Sequence, residues 1–113
     1  MVDIFDDLKA LNKPVFYEGD APVDLPNDFF TISEDSTEDN LNADNKPLEV
    51  LYEFTLKYYS KDIKTLYTQF NEAVALLKAK GYIISGVGRG SVSYKEWFAR
   101  EIEVRKIDYL ERN

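Results

Sequence analysis

Four glutamates are the nearest approach this chain makes to a reactive pair. Glu49 and Glu53 share one face of a segment with strand periodicity, and Glu101 and Glu103 share one face of another. Paired carboxylates serve glycosidases as acid and nucleophile, but only inside a cleft that drives their pKa values apart. The neighbours Lys57, Arg100 and Arg105 make cross-strand ion pairs on a solvated face the more economical account. No catalytic residue is assigned on this pattern, and no enzymatic activity is expected.

Two other stretches invite a ligand. Residues 34–46 are rich in acids and amides, and a calcium loop started at Asp35 would place Thr37 and Asp39 at its third and fifth positions. Its sixth position would then be Asn40 rather than glycine, and its twelfth Lys46 rather than a bidentate glutamate. These departures favour a solvated acidic loop or hairpin tip. Residues 86–91 read Gly-Val-Gly-Arg-Gly-Ser after an apolar run. A phosphate cradle needs a helix to follow, whereas Val92 to Ile107 is β-branched and aromatic, so a flexible connection is expected there. The chain has no cysteine and no histidine, which removes disulfides, thiol nucleophiles, imidazole acid–base chemistry and nearly every zinc site. No metal and no cofactor are expected.

The elements that would carry these residues follow from periodicity. Leu48, Val50, Tyr52, Phe54, Leu56 and Tyr58 recur at every second position, the spacing of a strand with one face on a core. From Ile63 the period changes: Leu66, Tyr67, Phe70, Val74 and Leu77 fall at helical spacing. Ser60 is the expected cap, with Asp62 in the first turn, Lys78 and Lys80 near the negative end and Gly81 as the stop. Upstream, Asp3 caps a short helix carrying Ile4, Phe5, Leu8 and Leu11, ended by Pro14. Val15-Phe16-Tyr17 and Phe29 to Ser33 read as strands, and Tyr82 to Ser85 as another. In the closing strand, Phe98, Ile102 and Val104 share a face with Arg100. Trp97 either joins the core or meets a neighbouring subunit.

The expected fold is therefore α+β: a mixed, mainly antiparallel sheet of four to five strands with two helices packed against it. Its expected core is Phe5, Leu8, Phe30, Ile32, Val50, Tyr52, Phe54, Leu56, Leu66, Phe70, Val74, Leu77, Ile84, Phe98, Ile102 and Val104. At 113 residues the chain fits one domain, residues 1–113, with an exposed acidic loop at 34–46 and a mobile tail at 108–113. Hydrophobic residues at 44% and aromatics at 14% place it among globular proteins. No apolar run approaches the roughly 20 residues that cross a bilayer, and the acidic start Met1-Val2-Asp3-Ile4 is unlike a secretory signal, so a cytosolic location is expected. The net charge of −7 is uneven, with −10 in residues 1–45 and +3 in residues 46–113. That balance argues against nucleic-acid binding through a basic patch.

A set of landmarks completes the pattern: Asn27-Asp28-Phe29-Phe30, the tetrapeptide Ala43-Asp44-Asn45-Lys46, a long strand ending Tyr58-Tyr59, a helix ending in Leu76-Leu77 and Gly81-Tyr82, and a closing strand with Trp97. In this order the chain resembles, over about residues 29–107, the tail-terminator and head–tail joining (neck) proteins of long-tailed bacteriophages and prophages. The resemblance implies a structural protein that forms a homo-oligomeric ring, usually hexameric, at the head-proximal end of the tail tube. There it stops tube polymerisation and docks to the capsid neck. Its implied partners are copies of itself, the tail tube protein and the neck or head-completion protein. DNA passes through the lumen without specific binding, and no membrane is involved. The implied location is the virion tail or neck, and the bacterial host cytoplasm before assembly. Strand edges that pair between subunits and an acidic loop that repels DNA fit this picture. The expected interface residues are Asp35, Glu38, Asp39 and Asp44, with Trp97 as the aromatic candidate. A different class of function, an acidic mimic of DNA that blocks a nucleic-acid-binding protein, is suggested by the charge of residues 1–45 alone.

Overall fold

The computed structural model describes residues 3–20, 22–41, 47–85, 92–94 and 97–109. In chain order the elements are α1 (Ile4–Asp7), a short 3-10 helix (Lys9–Leu11), β1 (Val15–Tyr17), β2 (Asp28–Leu41), β3 (Pro47–Ser60), α2 (Ile63–Ala79), β4 (Ile83–Ser85), β5 (Val92–Tyr94) and β6 (Trp97–Tyr109). Five strands lie side by side in the order β1-β2-β3-β6-β4, and the short β5 pairs with β6 further along the same edge as β4. β1 runs parallel to β2 and every other pair is antiparallel. This is the α+β fold read from the sequence, a mixed and mainly antiparallel sheet with helices packed on it.

The register explains the core. Phe30, Tyr58 and Arg100 lie abreast on β2, β3 and β6, followed by Ile32, Leu56 and Ile102. Alternation puts these rows on the face that α2 covers with Leu66, Phe70, Ala73 and Leu77, all buried. The Arg100 guanidinium lies over the rings of Phe70 and Tyr67, 4.9 and 5.0 Å away, so a charged residue sits in an apolar row by facing aromatic surface. The short α1, too small to be stable by itself, docks Ile4 and Leu8 into the same core.

The opposite face holds a smaller aromatic cluster. Phe29 stacks on Tyr59 at 4.8 Å and meets Trp97 edge-on at 6.4 Å and Phe16 at 6.0 Å. Trp97 is 9% exposed, its indole Nε1 donates to the Pro26 carbonyl at 3.2 Å, and Lys61 lies over its ring. Phe98, expected in the core, is instead 36% exposed, because Trp97 and Ala99 carry the buried face at that end of β6.

The α2 cap is Asp62 rather than Ser60: its carboxylate accepts from the backbone N–H of Lys64 and Thr65. Ser60 Oγ accepts from the Asp62 N–H, bracing the residue before the helix. Gly81, at φ +92°, provides the left-handed stop. The N-terminal helical segment ends on Asn12, itself left-handed at φ 54°, before Pro14 can act. Val92 to Ile107 contributes two strands: β5 folds back on β6, with Tyr94 opposite Trp97.

The largest correction concerns residues 34–46. Residues 34–41, expected in an exposed acidic loop, continue β2: Thr37, Glu38 and Asp39 pair with Tyr52, Leu51 and Val50 of β3. The register shifts between Glu34 and Ser36, leaving Asp35 as the extra residue of a bulge. A partner strand as long as β3 supplies backbone hydrogen bonds that outweigh the low strand propensity of Asp, Glu and Asn. The rest of that stretch, residues 42–46 with Asp44, lies outside the described residues, as do residues 86–91 with the glycine-rich motif. Of the expected mobile tail, Asp108 and Tyr109 pair with Val50 and Glu49, and residues 110–113 lie outside the described residues.

Candidate functional site

β2 begins, β3 ends and α2 starts at the same end of the sheet. Polar side chains there line an open cleft of about 440 Å³: Lys13, Asn27, Asp28, Ser60, Lys61, Asp62 and Thr65. Asp28 is held from two sides: the Tyr58 hydroxyl donates to its Oδ2 at 2.6 Å, and Lys13 Nζ reaches the same oxygen at 2.6 Å. Burial alone would raise the Asp28 carboxyl, but hydrogen bonds from Lys13 and Tyr58 and the ammonium charge hold it below the usual aspartate value. The Thr65 hydroxyl, at 2.7 Å, and the first N–H groups of α2 hold Asp62 low as well. A general acid or base works best with a pKa near the working pH. Both carboxylates move away from it, so each is a fixed anion: Asp28 ties β2 to β3 and to Lys13, and Asp62 caps α2.

A second arrangement of the same kind fastens the other end of the N-terminal segment. The Tyr82 hydroxyl donates to Asp7 Oδ2 at 2.6 Å, and Lys80 Nζ lies 3.9 Å from the other oxygen. The described N-terminal segment is thus clasped by a phenol, a carboxylate and a lysine at both ends.

The four glutamates weighed for catalysis do not converge. Glu101 and Glu103 are exposed. In register, Glu101 lies opposite Lys57, Glu53 opposite Arg105, and Glu49 opposite Tyr109 near the far end of the sheet. Among the described residues no group of three or more acidic side chains is placed to hold a metal.

Of the expected interface residues, Asp35 is exposed at the β2 bulge, where its carboxylate accepts from the Thr55 hydroxyl at 2.6 Å and from Ser33 at 3.4 Å. Glu38 and Asp39 lie on β2 beyond it, Asp44 falls outside the described residues, and Trp97 is taken up by the chain's own aromatic cluster. The meeting of Lys13 and Asp28 with the Tyr58 hydroxyl escaped the sequence reading. The available signal was Tyr58, a phenol at a core-facing position that must find a partner when buried.

Asp28 makes a testable link to pH. A carboxylate whose folded pKa lies below its unfolded value of 3.8 contributes stability that is complete above about pH 4–5 and is lost as pH falls through the folded value. Urea titrations at stepped pH should show wild-type stability falling below about pH 4, and Asp28→Asn should flatten part of that acid limb. An unchanged acid limb in Asp28→Asn would show that the carboxylate is not held as described.

No protein-family model matches the sequence, and comparison with curated proteins finds no significant match.

Proposed function

We propose that this chain is a structural subunit of a bacteriophage or prophage tail, a tail-terminator or head–tail joining protein that acts as a ring at the head-proximal end of the tube. The observation that carries it is a sheet that outruns its helical cover. α2, with 17 residues, extends about 25 Å, whereas the 14 residues of β3 extend about 45 Å. The main core reaches Phe54 and Val104 with Tyr52 at its margin, and the strands continue past it. The molecule is accordingly 53 × 26 × 24 Å, with a radius of gyration of 15.6 Å where a compact chain of this length has about 13 Å. A long strand arm of this kind suits contact with other chains better than enclosure of a substrate. The mixed, mainly antiparallel sheet is also the fold that the family resemblance implies.

Electron microscopy tests it directly. Tubes polymerised from the tail tube protein of the same genome should carry this protein as a ring at one end and stop lengthening when it is added. Tubes that bind none of it and grow unchecked at molar excess would refute the proposal.

A further inference from the structure

We draw no further inference here: the strongest candidate, the face of the sheet turned away from α2 where Leu51 pairs with Ile107 and the half-exposed Ile83 with Arg105, is a partly apolar surface for which nothing in the structure shows what covers it.

Discussion

Phe70→Ala is expected to destabilise the folded chain by roughly 3–5 kcal/mol, measured by urea or guanidinium titration. The ring is 2% exposed and sits mid-helix in the stripe Leu66, Phe70, Ala73 and Leu77 that joins α2 to the sheet. Truncation removes its burial and leaves a cavity between two rigid layers, neither of which can collapse freely. It also strips Arg100 of one of the two rings its guanidinium faces, exposing a charge to an apolar hole. A loss below about 1 kcal/mol would contradict the assignment of this helix face to the core.

Tyr58→Phe, which removes a single oxygen, is expected to cost about 1–3 kcal/mol. The Tyr58 side chain is fully buried, and its hydroxyl reaches a carboxylate that is itself only 19% exposed. Phenylalanine keeps the ring and its contact with Phe30 at 4.4 Å, so the loss isolates the hydrogen bond to Asp28. The same variant has an alkaline signature. Burial raises the Tyr58 hydroxyl well above its ordinary value of 10.0, and the neighbouring Asp28 charge raises it further. A group raised on folding contributes stability that is complete below the unfolded pKa and is lost as pH rises toward the folded one. Wild-type stability should therefore fall above about pH 10, and less steeply in Tyr58→Phe. Tyr82 is raised by burial and by Asp7 in the same sense, so part of the slope should persist. Equal alkaline slopes in wild type and Tyr58→Phe would show that this phenol is not shielded in the fold.

Periodicity made the central half of the molecule legible. β3 and α2 show their periods plainly because each buries one face against the other, and sequence spacing reports burial. The extension of β2 was hidden for the opposite reason: residues 34–41 are held by backbone pairing to β3, and the sequence Glu-Asp-Ser-Thr-Glu-Asp-Asn-Leu carries no apolar alternation to advertise it. The second aromatic cluster was missed because alternation assigns one face of a strand to the core, whereas Phe29 and Phe30, adjacent on β2, are both buried. At the cleft, Asp28 and Tyr58 are brought together by the β2–β3 register across 30 residues of chain. Local spacing holds no trace of such a pairing.

The order of the strands bears on how the chain becomes folded during synthesis. β3 lies between β2, its neighbour along the chain, and β6, which follows only after α2, β4 and β5. Both β4 and β5 have β6 as their sheet partner among the described residues. A nascent chain that has emerged only as far as α2 can pair β1, β2 and β3, but it lacks the buried Ile102 and Val104 of β6, and one edge of β3 has no partner until β6 arrives. The cooperative step therefore waits for β6 and closes a long loop, so it is set by chain topology rather than by local propensity. The acids of residues 34–41 keep those waiting strands charged, which discourages them from adding strands of other chains before their own last strand arrives.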